Sequence, residues 1–238
     1  MTSPTPTQPA RKSVLLIGAS RGLGYAMAEE FLKRDWHVMG TVRGSTQTRL
    51  HALAQRNPGR VDIEHVDITM PDQIATLRSR LADRTFDLLF VNAGVTNNPT
   101  ETIGDVSTEE FIRVMVTNAL SPMRVLEALH DRVAEGGVIG VMSSGQGSVA
   151  NNTHGMREVY RGSKAALNTF MRSFAARHNT DRHAMVLMAP GWVRTEMGGA
   201  GAPLSIEDSI PNVVNTLLAV RGNAGLQYLD YLGRTVPW

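Results

Sequence analysis

Seven short apolar runs recur along this chain, each separated from the next by a longer polar or amphipathic stretch. That alternation constrains the fold more than any other feature. The runs are "SVLLIG" (13–18), "WHVMGTV" (36–42), "VDIEHVDI" (61–68), "FDLLFVNAG" (86–94), "GGVIGVMSS" (136–144), "HAMVLMAPG" (183–191) and "LQYLDYL" (226–232). A strand that is apolar along its length must be covered on both faces, as in a parallel sheet. Helical patterns fill the intervals. Leu23, Ala26, Met27 and Phe31 share a face in 22–35, and Pro71 suits the first turn of a helix through "DQIATLRSRLAD". Ser107 with Glu110 forms a capping box that starts a long helix to about Val133, which Pro122 should kink. Further helices are expected from "EVYRGSKAALNTF" to about His178 and from about Ser205 to Val220. Alternating β and α units predict an α/β, doubly wound sheet with helices on both faces.

No repeat, linker or change of composition divides the chain, so residues 13–238 are expected to form one domain. Residues 1–12, Pro/Thr-rich and without an apolar core, suggest a disordered tail rather than a signal peptide. With 24 Lys and Arg against 22 Asp and Glu, and no basic run, nucleic acid is not an expected partner. The absence of cysteine excludes disulfides, thiolate catalysis and zinc–cysteine sites, and suits a reducing compartment. No apolar stretch approaches a membrane span, so a soluble, cytoplasmic protein with no membrane partner is expected. Seven histidines are scattered without HExxH spacing, and no metal site is expected. A hydrolase elbow would need GxSxG, which Met142 breaks at Ser144.

"GASRGLG" follows the first run and opens a helix, giving Gly18, Ser20, Arg21, Gly22, Leu23 and Gly24. Glycines at such a turn let the backbone approach a pyrophosphate, whose charge is favoured by the free N–H groups of a helix start. No Lys-Ser/Thr pair follows, so a nucleotide-triphosphate loop is disfavoured. An NAD site wants a carboxylate at the end of the second strand. Val38–Val42 supplies none, Arg43 comes next, and Arg21 lies inside the glycine loop. Two guanidiniums and no carboxylate suit a 2′-phosphate, which predicts NADP(H). Tyr160 and Lys164 stand one helical turn apart in a chain with only three lysines, so both project from one face.

Taken in order, "GASRGLG", "NAG" (92–94), "TNALSP" (117–122), "VMSS" (141–144), "YRGSK" (160–164) and "PGWVRTEMGG" (190–199) resemble the classical short-chain dehydrogenases/reductases. The resemblance covers residues 13–238. "YRGSKAALN" and the ending "YLGRTVPW" are most similar in texture to the C-factor and sniffer-type carbonyl reductases. It implies a Rossmann-type, mostly parallel seven-stranded sheet and an NADP-dependent oxidoreductase that interconverts an aldehyde or ketone and an alcohol. It also implies a homodimer or homotetramer packed through the helices carrying Asn118 and Tyr160. The catalytic residues it implies are Asn118, Ser144, Tyr160 and Lys164, with Ser143 the alternative serine. For the cofactor it implies the glycine-loop residues, Asp67 and Ile68 toward adenine, Asn92, Ala93 and Gly94, Tyr160 and Lys164, and Pro190, Gly191, Val193 and Thr195.

Chemically, Tyr160 would protonate the carbonyl oxygen, or act as base in oxidation, and Lys164 would lower its pKa while holding the nicotinamide ribose. Ser144 would hydrogen-bond the substrate oxygen, and Asn118 would hold a water that returns protons to Lys164. The alternatives are an epimerase or dehydratase using the same pair, and an NADP-binding regulatory protein with little or no turnover. Residues 145–159 and 192–204 are expected to line the substrate pocket, with Trp192, Met156 and Met197 the large side chains there.

Overall fold

Successive side chains of a strand point to opposite faces, so a run apolar at every position feeds two cores at once. In β1 (Ser13–Ile17), Val14 and Leu16 enter one core while Leu15 and Ile17 enter the other, all fully buried. The structure, a computed structural model, describes residues 11–238. β2 (His37–Val42), β3 (Val61–His65), β4 (Phe86–Val91), β5 (Val133–Met142), β6 (Ala184–Ala189) and β7 (Gly225–Asp230) join β1 in one seven-stranded sheet. Its order is β3-β2-β1-β4-β5-β6-β7, and every pair is parallel.

The helices divide between the two faces. α1 (Gly22–Lys33), α2 (Arg49–Arg56) and α7 (Ile206–Ala219) cover one with Met27, Phe31, Leu50, Val213 and Leu217. α3 (Pro71–Arg80), α5 (Ser121–Leu129) and α6 (Glu158–Arg177) cover the other with Leu77, Leu126, Leu167, Met171 and Phe174. The chain leaves β1 toward β2 and β3, then returns to pair β4 with β1 on the opposite side. That reversal opens a crevice beyond the carboxyl ends of β1 and β4, where ligands bind in open α/β sheets.

Several expectations need correction. α2 lies in a stretch, 43–60, for which no element was foreseen. The long helix expected over 107–133 is composite: α4 (Thr108–Met115), a π-helical segment Val116–Leu120, α5, and a 3₁₀ turn His130–Arg132. Strand β5 accordingly begins at Val133 rather than 136. Pro122 explains the interruption, because a proline ring collides with the carbonyl four residues earlier, here that of Asn118. The backbone widens by a residue there, and Asn118 sits inside the widened turn.

Most of the expected tail, residues 1–10, lies outside the described residues. Arg11 and Lys12 do not fit that expectation, since the Lys12 carbonyl accepts from the His37 N–H at 2.8 Å and Arg11 pairs with Asp35 at 3.1 Å. Among the described residues no helix is long and apolar enough to cross a membrane.

Candidate active site

The glycine loop is shaped by close approach. Gly18, at φ +88°, lies against Ala93, and a Cβ there would fall 2.9 Å from the Ala93 Cβ and N. A Cβ on Gly24 would fall 2.1 Å from the Gly18 carbonyl oxygen, which accepts from Asn92 Nδ2 at 2.8 Å. Buried Thr41 on β2 holds the loop from the other side, accepting from the Gly18 N–H at 2.9 Å through its hydroxyl and from the Ala19 N–H at 2.8 Å through its carbonyl. Arg21 caps α1 in an extended conformation without a side-chain cap, and the first turn carries no acidic residue. Uncapped N–H groups at a positive helix end, beside glycines with no room for a Cβ, form a cradle that fits a dinucleotide pyrophosphate. Ser20 and Leu23 flank the turn, with Leu23 packed on the core behind it.

The arginines expected at the 2′-phosphate differ in their surroundings. Arg43 is exposed, while Arg21 donates to Glu196 at 2.6 Å. That pair joins the glycine loop to the segment after β6, and both side chains are more than two-thirds exposed. Asp67 spends one oxygen locally, accepting from the Thr69 N–H at 2.9 Å and its hydroxyl at 2.7 Å, and Ile68 is buried beside it. Asn92 and Ala93 continue β4 by donating their N–H groups to the Ile17 carbonyl. A Cβ on Gly94 would lie 3.3 Å from Asn118 Oδ1 and 3.5 Å from Lys164 Nζ, so the loop runs directly over the catalytic candidates.

Those candidates converge. Tyr160 and Lys164 lie on the buried face of α6, and Lys164 Nζ sits 5.9 Å from the Tyr160 ring centre. Lys164 Nζ donates to the Met142 carbonyl at the end of β5, at 2.8 Å. Burial without a carboxylate lowers the Lys164 pKa to about 8. The tyrosine moves the other way. Burial raises the Tyr160 pKa, opposed by a hydrogen bond with the Ser144 side chain and by the charge of Arg157. In the protein alone, Ser144 and Arg157 draw the phenol down against a larger effect of burial.

Of the two candidate serines, Ser143 is buried and donates to Asn168 Oδ1 at 2.6 Å, whereas Ser144 lies against Tyr160. Asn118 is fully buried and its amide is saturated. Its Oδ1 accepts from the Val95 N–H at 2.8 Å, and its Nδ2 donates to the Val95 carbonyl at 2.8 Å and to Ser163 Oγ at 3.0 Å. The side chain thus staples the β4 loop to α6. Its main-chain carbonyl receives no N–H from Pro122, four residues on.

After β6, the Pro190 carbonyl accepts from Ser209 Oγ at 2.7 Å and Gly191 turns at φ +83°. Val193 is buried, Thr195 Oγ1 accepts from the Gly198 N–H at 3.0 Å, and Trp192 Nε1 donates to the Gly198 carbonyl at 2.8 Å. Trp192, Met197, Met156 and Val149 are exposed, so the expected pocket segments carry more apolar surface than their composition suggested.

Four positioning residues escaped the sequence reading. Tyr228 on β7 donates its hydroxyl to the Ser144 carbonyl. Asn168 donates to the Gly147 carbonyl at 3.2 Å, and Ser163 donates to the Tyr160 carbonyl at 2.7 Å. Arg157, three residues before Tyr160, places its guanidinium 5.1 Å from that ring's centre. The segment 145–159 is also tied to the end of the chain, where the Trp238 carbonyl accepts from the Ala150 N–H at 3.0 Å and Trp238 packs between Tyr228 and Arg172.

Histidines distant in sequence do meet elsewhere. Ligand atoms of His130, His178 and Asp181 lie within 4.8 Å of one another, a grouping that could hold a metal ion and that spacing along the chain did not reveal. His130 meets the Phe174 ring edge-on and His178 lies tilted against it, and His178 Nδ1 bonds Asp181 at 2.8 Å.

Known proteins are similar to this chain along most of its length. A structure from Burkholderia multivorans, described as a short-chain dehydrogenase/reductase with bound NADP, is 64% identical, covers 96% of this chain and 100% of its own, and superposes with a TM-score of 0.95. A carbonyl reductase from Pseudomonas aeruginosa in complex with NADP is 35% identical over 96% of this chain and 100% of its own, with a TM-score of 0.89. The C-signal protein of Myxococcus xanthus is 36% identical over 154 residues, 64% of this chain and 92% of its own. The family described as short chain dehydrogenase matches residues 12–202. With its parallel sheet and crevice, the chain therefore belongs to the short-chain dehydrogenase/reductase family.

Proposed function

We propose that this chain is an NADP(H)-dependent oxidoreductase that interconverts an aldehyde or ketone and the corresponding alcohol. One observation carries this reading: α6 holds the buried phenol of Tyr160 and the buried Lys164 on one face, Nζ 5.9 Å from the ring centre, against the end of β5 from which Ser144 follows. The glycine cradle supports the cofactor, as do the NADP-bound relatives from Burkholderia and Pseudomonas. When bound, NADPH supplies the hydride to the carbonyl carbon.

The protein's own groups manage the proton. Ser144 donates to the substrate oxygen and orients it beside Tyr160, whose hydroxyl gives its proton as negative charge develops there. The resulting phenolate is favoured by Arg157 and by the Lys164 ammonium. With a pKa of about 8, that ammonium gives up a proton readily near neutral pH and can restore the phenol. The Asn118 carbonyl, without an N–H from Pro122, is the acceptor that would hold the proton path open toward Lys164. In oxidation the same phenol accepts the alcohol proton.

The test is Tyr160→Phe, assayed on a carbonyl panel by loss of NADPH absorbance. The expected outcome is a fall in kcat/KM of about 10²–10⁴-fold, the usual contribution of a positioned acid, with NADPH affinity retained. Near-wild-type turnover with intact cofactor binding would remove Tyr160 from the mechanism. Tight NADPH binding by the wild type without turnover of any carbonyl or alcohol would favour the regulatory alternative.

A further inference from the structure

Arg157 carries a charge that its surroundings leave unanswered. It is half-buried, its Nε is inaccessible to water and bonds nothing, and among the described residues no carboxylate lies within 4.0 Å of it. Among the described residues its side chain makes one hydrogen bond, from Nη2 to Thr96 Oγ1 at 3.2 Å. Arg113 makes a useful contrast, since it also reaches Thr96, donating to the carbonyl at 2.9 Å, but it is forked onto Glu110 at 2.7 Å. The neighbouring Glu158 is occupied by the Ile103 N–H. A guanidinium partly withdrawn from water and lacking a counter-ion is costly, and a missing hydrogen bond on a buried N–H adds to the cost. The backbone adds more: Met156 and Arg157 both adopt left-handed conformations, at φ +60° and +57°, which side chains other than glycine enter at a cost.

The position gives that cost a use. Arg157 lies over the Tyr160 ring, while Thr96 belongs to the loop that follows the Asn92–Gly94 segment. The cation therefore ties the segment leading into α6 to the loop after Gly94, beside the Tyr160 ring. We propose that Arg157 is a specificity-determining residue that selects carbonyl substrates bearing a carboxylate or similar anion, held by its guanidinium. This rests on the oxidoreductase reading above and narrows it from carbonyls in general to oxo acids. The forked donors suit a carboxylate geometrically, and a charged acceptor bonds such a group more strongly than a neutral one. The adjoining Met156 is exposed and offers an apolar contact beyond that head group.

The test uses the full chain with NADPH and pairs of 2-oxo and 3-oxo acids, each beside its neutral methyl ester. The wild type should favour the acids in kcat/KM. In Arg157→Gln the acid-to-ester ratio should fall about 10- to 100-fold, the range of a charge-assisted hydrogen bond, with the change appearing mainly in KM. Arg157→Lys should keep part of the preference. The ratio cancels any general loss of folding or of proton transfer.

A second readout does not require turnover: quenching or enhancement of bound-NADPH fluorescence by benzoate, with benzamide as the neutral control. Benzoate should bind the wild type and not Arg157→Gln. A wild-type ratio that does not favour the acids, or one unchanged by the substitution, overturns the proposal while leaving carbonyl reduction standing. Arg157-dependent benzoate binding with no carbonyl turnover would uphold anion selection and overturn the reductase reading. Absence of both would overturn both.

Discussion

Lys164 concentrates the electrostatics of the site in one side chain. Its pKa of about 8, against an ordinary 10.5, means that folding disfavours its charged form. Below about pH 8 both folded and unfolded chains carry the charge, and the folded chain bears the whole penalty, about 3 kcal/mol for a gap of that width. Between about pH 8 and 10.5 the unfolded chain binds more protons, so this contribution makes the protein more stable as pH rises. Lys164→Met should therefore unfold at higher denaturant concentration than wild type at neutral pH, with the difference shrinking toward pH 10. The same titration should govern rate: kcat/KM for reduction should decline above about pH 8 as the ammonium is lost. Equal denaturation midpoints for the two proteins at neutral pH would show that Lys164 carries no such penalty.

At the scale of elements, the turn after β1 and the break before α5 do most of the positioning, and they differ in how they are sensed. A Cβ at Gly24 meets the Gly18 carbonyl, which cannot move without shifting Asn92, whereas a Cβ at Gly22 meets nothing within 4 Å. Gly24→Ala should abolish NADPH binding and lower stability by several kcal/mol. Gly22→Ala should cost only about 1–2 kcal/mol of left-handed strain and retain binding; isothermal titration and thermal denaturation separate the two. Both glycines were visible in the sequence, but which of them is pressed by backbone was not, because that depends on the loop folding Gly24 back onto the Gly18 carbonyl. The strands were legible for a related reason: burial on both faces leaves continuous apolar runs. The π-helical segment was not, since Pro122 announces a disturbance without saying whether the helix bends or widens. Nor was Arg157, which stands among polar residues and is given meaning only by the fold that lays it over Tyr160. Tyr228 is silent in the same way, in a strand remote from the Ser144 that it holds.

Across the whole molecule, one exposed ion pair spans the crevice. Arg21 belongs to the loop after β1 and Glu196 to the loop after β6, 175 residues later. If Arg21 is to meet a 2′-phosphate, Glu196 competes with that phosphate for the same guanidinium. Glu196→Gln should tighten NADPH binding by up to about fivefold, consistent with at most about 1 kcal/mol for an exposed pair, and leave NADH binding unchanged. Parallel titrations of the two cofactors check this, and equal shifts for both would separate Arg21 from the 2′-phosphate. The effect should fade with added salt.

The last residue of the chain is fastened to the segment that leads into Tyr160, through the Ala150 N–H and the Trp238 carbonyl. Tyr228, on the strand before it, grips the Ser144 carbonyl. The candidate catalytic residues are thus hemmed by the segment Tyr228–Trp238. Lesions at that end, such as the loss of residues 234–238, would pass in a genetic screen for substrate-range alleles although they lie at no catalytic codon.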